Sequence, residues 1–355
     1  MSTYGSAQNA AKSGAFKRDT RYINDRIRTS GSELHFQGDN PLDDTPDDTT
    51  VWPVTPHRYR LVGARACPWA HRAILTRRLM GLEDVISLGL AAPTHDVRSW
   101  TFDLDPDGLD PVLKIPRLQD AYFARFPDYP RGITVPAIVD ETTGKVVTNN
   151  FHHIVPDLAT QWGQYTRPGA PDLYPTEMRA EIDSWSTWLY KEINNGVYRC
   201  GFAGDQEAYN AAFERLWAAL DRLEEHLGTH RYMVGEQITL ADIYLYPTLV
   251  RFDPVYHGHF KCNRNRLTEM PNLWGYLRDL YQTPGFGDTT DFQEIKQHYY
   301  IVHHEINPTG IVPLGPDMHA IESPHHREHL GGSAFGAHGV APGPVPLGEV
   351  VRNPL

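Results

Sequence analysis

Residues 65–84 read RACPWAHRAILTRRLMGLED, with a cysteine and a proline side by side where an extended segment gives way to a helix. Upstream, HRYRLVGARA (57–66) has strand character, and downstream VISLGLAA (85–92) is a continuous apolar run of strand length. Strand, helix and strand in this order form a βαβ unit, whose two strands run parallel. Pro68 suits the first helical turn, because the amide hydrogen it lacks has no intrahelical partner there. The helix therefore opens at Pro68 with Cys67 as its N-cap, and it ends near Gly81. Free amides at Trp69 and Ala70, together with the positive end of the helix dipole, favour a thiolate at Cys67. The competing reading is a buried, inert cysteine. The strand, Cys-Pro and helix context favours the reactive one.

Further along, ITVPAIVDETTGKVVTNN (133–150) reads as a hairpin, with strands at Val135–Val139 and Val146–Thr148 and a polar turn around Thr143 and Gly144. A βαβ unit, a hairpin and another helix make the element order of a thioredoxin-like α/β domain. Pro136 opens a strand, where a cis bond after Val135 would leave the Val135 carbonyl and amide open to a peptide-like ligand; an edge-strand proline with no ligand is the alternative. Three residues after Cys67 stands Ala70 rather than a second cysteine. A mixed disulfide on Cys67 must then be resolved by an external thiol, so a low-molecular-weight thiol is implied as co-substrate.

Length and composition fit this reading. At 355 residues the chain has room for about two domains. The segment 1–50 reads as a polar extension, 51–170 as the thiol-binding domain, 171–315 as an all-α domain and 316–355 as a loosely held tail rich in Gly, Pro and His. A Pro/Gly-rich linker, RPGAPDLYPTE (167–177), separates the two domains. In 205–228, Phe213, Leu216, Trp217, Leu220, Leu223 and Leu227 share one helical face. Thr239 and Asp242 form a capping box, with Ile238 and Ile243 placed as a staple. The net charge of −11 argues against a nucleic-acid partner and gives no pull toward anionic lipid. No run approaches the ~20 apolar residues of a membrane span, and MSTYGSAQNAAKSGAFKRD lacks the apolar core of a secretory signal. Three cysteines cannot build a disulfide framework, which fits a reducing cytoplasm. His257, His259 and Cys262 in HGHFKC have spacings that could hold zinc, but without a fourth ligand nearby no metal is expected. Cys200 and Cys262 read as structural.

The strings ARACPWAHRA, GLEDVIS, SWTFD, ITVPAIVD, NNGVYRCGFAGDQEAY, RFDPVYHGHFKCN, MPNLWGY and IKQHYYIVHHEINPTGIVP, in one order over about 55–315, resemble the glutathionyl-hydroquinone reductases, the Xi class of the glutathione transferases. The resemblance implies a thioredoxin-like N-terminal domain, an all-α C-terminal domain, a homodimer and reduction of S-glutathionyl-hydroquinones to free hydroquinones through a cysteine. By motif, Cys67 matches the catalytic nucleophile. Tyr198 and a tyrosine of HYY, taken as Tyr299 with Tyr300 still open, match the residues that bind the hydroquinone hydroxyls. Trp69, Trp100, Val135, Pro136, Asn150 and Phe151 fall on the thiol-binding side, where the thiol is a co-substrate and no tightly bound cofactor is expected.

Two strings depart from the family. Its acidic-serine pair after the hairpin is replaced in TNNFHHIV by Asn150 and Phe151, which offer neither a carboxylate for an ammonium nor a hydroxyl. Its tryptophan-bearing N-terminal string reads TRYINDRI, with no tryptophan. Both departures lie on the thiol side, so the expected co-substrate is a sugar-type thiol such as mycothiol in place of glutathione, with Asn150, His152 and His153 as polar contacts. Rival readings are a general monothiol transferase and a non-catalytic binding protein with the transferase fold.

Overall fold

The computed structural model describes residues 11–29, 31 and 50–352; the acidic string at 39–50 lies outside them except for Thr50. The described chain divides into two compact units. One takes in the described parts of 20–168 together with 342–350, the other 11–19, 169–341 and 351–352.

In the first unit, β1 (Arg26–Arg28) pairs in parallel with β2 (Val51–Pro53). The βαβ unit follows as β3 (Tyr59–Gly63), α1 (Pro68–Met80) and β4 (Ile86–Leu90), with β3 and β4 parallel and Leu61 opposite Leu88. β5 (His95–Asp96) and β6 (Ser99–Trp100) make a short antiparallel pair, and α2 (Leu118–Arg125) comes next. β7 (Ala137–Asp140) runs antiparallel to β3, and β8 (Lys145–Thr148) antiparallel to β7, so the sheet order is β4-β3-β7-β8. The hairpin turn holds Gly144 at φ 69°, a left-handed conformation that suits glycine. α3 (Phe151–Thr160) then packs against α1. Every residue of β3 and of α1 is buried, as expected where a central strand is covered by helices. Gly63 allows the closeness: a Cβ there would lie 3.0 Å from Ile74 Cδ1 of α1.

The second unit is helical: α4 (Arg179–Leu189), a π-helical turn at Tyr190–Asn194, then α5 (Gly196–Gly201), α6 (Gln206–Leu227), α7 (Leu240–Leu249), α8 (Pro271–Gln282) and α9 (Phe292–Val302). α6 buries Leu216, Trp217, Leu220, Leu223 and Leu227 along the face its spacing predicts, with Phe213 half-buried at the margin. The capping box opens α7, and Asp242 goes further by accepting from the Met233 amide at 2.8 Å and the Tyr276 hydroxyl at 2.7 Å. None of the described helices is long and apolar enough to cross a membrane.

The described residues near both ends are bound more firmly than their composition suggests. Of the segment read as an extension, residues 20–28 are stitched into the first unit: the Ile23 amide donates to Asn149 Oδ1 at 2.8 Å, the Thr148 hydroxyl donates to the Ile23 carbonyl at 2.6 Å, and Arg26 pairs with Asp157. The tail read as loosely held is likewise pinned. In the second unit Ile321 is fully buried, and Arg327 donates to the His230 carbonyl at 2.6 Å. In the first, Glu349 receives both terminal nitrogens of Arg77 at 2.8 and 2.7 Å, while Arg65 donates to its backbone carbonyl. The Arg77 side chain is 1% exposed, so Glu349 neutralises a cation that solvent cannot reach. Glu349→Ala should lower stability by about 3 kcal/mol, because it strands that cation. Adding Arg77→Met should recover part of the loss. Thermal denaturation of the three proteins tests both statements.

Candidate active site

Backbone geometry fixes the place of the cysteine. Cys67 is extended (φ −82°, ψ 121°), Pro68 follows at the first helical position, and the His71 amide donates to the Cys67 carbonyl at 2.9 Å. Cys67 is thus the N-cap, but its side chain makes no capping bond. The sulfur instead lies 3.6 Å from the Val135 carbonyl oxygen, to which the thiol donates. The Val135-Pro136 bond is cis. A carbonyl has two lone pairs, so Val135 can hold the thiol proton and still accept an N–H from a peptide-like ligand. Cys67 is 8% exposed, with its sulfur at the seam between α1 and the strand entering β7.

Around this seam the side chains are aromatic. Trp69 lies 4.7 Å from Phe151, which meets Tyr22 edge-on at 5.4 Å and His152 at 4.1 Å, while the Arg72 guanidinium sits 4.6 Å over Trp69. The structure thus brings Trp69, Phe151, Val135 and Pro136 to the region of Cys67, and it places Trp100 in the β5–β6 pair against His95 at 5.0 Å. Asn150 is committed within the chain. Its Oδ1 accepts from the His152 amide as the cap of α3, and its Nδ2 donates to Asn24 Oδ1 at 2.8 Å and lies 3.3 Å from His153 Nδ1. Its polar atoms hold β1's approach to α3 rather than standing ready for a ligand. Burial, with Arg26 and Arg28 adding to it, pushes the His153 imidazole down to about 3, so that ring is neutral at neutral pH.

In the second unit, Tyr198 of α5 and Tyr299 of α9 join through their hydroxyls at 2.7 Å. Tyr256, at the end of a π-helical turn (Phe252–Tyr256), joins the same Tyr299 hydroxyl at 2.9 Å. Tyr300 donates elsewhere, to the Pro254 carbonyl at 3.3 Å, so Tyr299 is the tyrosine of HYY that meets Tyr198. Tyr256 escaped the sequence reading, since nothing in RFDPVYHGHFKCN marks its hydroxyl as more than core. Burial raises Tyr256 and Tyr299 well above the usual phenol range, and Tyr198 beside them adds to the rise of each. Both keep their protons at neutral pH. Of the three, Tyr198 is the least buried. Arg18 stands 4.5 Å over the Tyr198 ring, with its Nε on Asn195 Oδ1 at 2.8 Å. Phe260 packs on Tyr198, Tyr256 and Tyr299 at 5.3, 5.2 and 5.6 Å.

The zinc spacing is not realised. Among the described residues no three His, Cys, Asp or Glu side chains gather as a metal site. His259 Nε2 lies 3.2 Å from His303 Nδ1, and Cys262, fully buried, directs its sulfur toward the Val197 and Phe260 carbonyls.

A βαβ–ββα unit with one cysteine at the start of its first helix, followed by an all-helical unit, defines the protein as a glutathione transferase. The family of glutathione S-transferase N-terminal domains matches 66–161, and that of the C-terminal domains matches 206–279. The chain belongs to the glutathionyl-hydroquinone reductases, within the Xi class. It is 42% identical over 273 residues to glutathionyl-hydroquinone reductase YqjG of Escherichia coli, covering 76% of this chain and 83% of that one. The glutathione-bound structure of YqjG matches with a TM-score of 0.75 over 80% of this chain and 92% of that chain. A glutathione transferase from Gordonia bronchialis matches at TM-score 0.84 and 63% identity over 85% and 94% of the two chains. The Xi glutathione transferase of Phanerochaete chrysosporium matches at 0.79 and 37% over 89% and 98%.

The depressed His153 makes a testable demand. Below its ordinary value of 6.5 the unfolded chain takes up a proton that the folded ring refuses until about pH 3. Stability must therefore fall as pH drops from 6.5 toward 3. Denaturant titrations at pH 7 and pH 5 should show this fall, and His153→Gln should flatten it.

Proposed function

We propose that this protein is a thiol-dependent reductase of hydroquinone S-conjugates, with Cys67 as the nucleophile. The observation that carries the reading is the lone Cys67 thiol, N-cap of α1 and 3.6 Å from the Val135 carbonyl, in a chain related to named glutathionyl-hydroquinone reductases. The conjugate first shifts to a keto tautomer, in which the carbon bearing sulfur gains a proton from a ring hydroxyl. The Cys67 thiolate attacks the thioether sulfur. An S–S bond forms to Cys67, the C–S bond breaks, and its electron pair leaves as the hydroquinone phenolate, which then takes a proton. A second thiol, as thiolate, attacks the mixed disulfide, releases the low-molecular-weight disulfide and restores Cys67. The sum is conjugate plus thiol giving hydroquinone plus disulfide.

The hydrogen-bonded phenols of Tyr198, Tyr299 and Tyr256 suit the other half of this chemistry, in which a substrate ring oxygen takes a hydrogen bond from the group as the tautomer forms. Tyr256 thereby joins Tyr198 and Tyr299 as a residue that orients the donor. The co-substrate is a sugar-type thiol such as mycothiol in place of glutathione. Support comes from Phe151 and the committed Asn150, at the positions where the family carries a serine and an acid. A homodimer working in a reducing cytoplasm completes the reading.

Cys67→Ser should abolish turnover of a menadiol conjugate and remove the mixed disulfide from the intact mass. Tyr299→Phe should lower kcat by about 10²-fold and leave adduct formation on Cys67 intact. Turnover that survives Cys67→Ser, or protein mixed disulfides reduced faster than quinol conjugates, would overturn the assignment.

A further inference from the structure

The first unit holds an open cleft of ≈ 800 Å³ between residues 22–25 with Thr50 on one side and 125–130 on the other. Two chains of contacts tie it to the cysteine. Tyr22, which lines it, meets Phe151 at 5.4 Å; Phe151 meets Trp69 at 4.7 Å; and Trp69 lies in the helical turn that Cys67 caps. Ile23, also lining it, donates its amide to Asn149 Oδ1 at 2.8 Å, and Asn149 Nδ2 donates to Thr134 Oγ1 at 2.8 Å. Thr134 precedes Val135, whose carbonyl faces the Cys67 sulfur.

The cleft's charge is already arranged. Arg125 is the one cation among its described lining residues. Its guanidinium is committed to the Val146 and Val147 carbonyls at 3.0 and 2.7 Å and to Asp25 at 2.6 Å, and Asp25 also accepts from Trp52 Nε1 at 2.8 Å. That leaves the exposed Asp128 as the carboxylate free of this network. Such a lining repels a second carboxylate and welcomes hydroxyls or an amine. Its walls are aromatic: Tyr22, then Phe126 and Tyr129 with ring centroids 6.1 Å apart. Flat apolar rings beside a carboxylate and an amide suit a pyranose or cyclitol, which offers an apolar C–H face and a rim of hydroxyls. The volume falls within the range of small-molecule sites and has room for a disaccharide-sized group.

We propose that this cleft seats a glycosyl group carried by the thiol co-substrate, with Phe126, Asp128 and Tyr129 setting thiol specificity. The inference rests on the reading that Cys67 exchanges with a low-molecular-weight thiol, and it moves the sugar contacts away from Asn150 and His153, which contact each other while Asn150 also holds Asn24.

The test uses two symmetrical disulfides, that of cysteinyl-glucosamine and that of glutathione, with intact mass reporting how fast each forms a mixed disulfide on Cys67. In this exchange the Cys67 thiolate attacks one sulfur, an S–S bond to Cys67 replaces the probe's own, and the other half leaves as thiolate. The glucosamine disulfide should label the protein roughly 10-fold faster, and Phe126→Ala with Asp128→Ala should bring the ratio close to one, as loss of about one good contact requires. Both side chains are exposed, and an unchanged melting temperature confirms that the variant is folded. Equal or faster labelling by glutathione disulfide, or a ratio the variant does not alter, overturns the cleft assignment and leaves the reductase reading standing. A Cys67 inert to both disulfides overturns the thiol-exchange reading itself, and the cleft assignment with it.

Discussion

The contact between the Cys67 sulfur and the Val135 carbonyl joins two parts of the chain that are 68 residues apart, and the chemistry of the first unit is arranged around it. On one side, Pro68 fixes where α1 begins and so where the sulfur projects. On the other, the Val135 carbonyl, in the cis bond before Pro136, faces that sulfur. The sheet holds both ends. β3 leads into Cys67, β7 leads out of Pro136, and the two strands pair antiparallel with Leu61 opposite Ile138. Gly63 lets α1 lie against the end of β3 without a methyl group in the way. A thiol held in this frame is largely buried, at 8% exposed, yet not fully sealed.

The hydroxyls of the second unit follow a different logic. Tyr198, Tyr256 and Tyr299 come from three separate segments and are brought within hydrogen-bond reach by the packing of α5, α9 and a π-helical turn. Burial holds the inner two, Tyr256 and Tyr299, as phenols near neutrality. Phe260 packs its ring against all three of theirs.

Composition misjudged both ends of the chain, and the reason is instructive. Residues 316–352 look like a solvated tail because glycine, proline and histidine carry little hydrophobic signal. What holds them is a handful of specific contacts: Glu349 on Arg77, Ile321 in the core, and Arg327 on the His230 carbonyl. The stretch 20–29 is polar for a related reason: Ile27 is its one core apolar side chain, and Ile23, Arg26 and Thr29 pair with Asn149, Asp157 and Gln161. Hydrogen bonds and ion pairs between distant residues leave no periodicity for a sequence reading to find.

Local chemistry was legible in the order of residues alone. The Cys-Pro pair set the start of α1 because proline lacks an amide hydrogen, the two apolar stretches and the turn residues between them in 133–150 set the hairpin, and Thr239 with Asp242 set the start of α7. Those features depend on neighbours within a few positions. Only the tertiary structure decided that the thiol faces a carbonyl instead of capping its own helix, that Tyr299 and not Tyr300 meets Tyr198, that Tyr256 completes the group, and that Asn150 is already occupied. Each of these depends on which side chains from remote segments arrive at the same point in space. That is settled by packing, in which a one-residue step along a helix such as α9 turns the side chain by about 100° and sends its hydroxyl to a different partner.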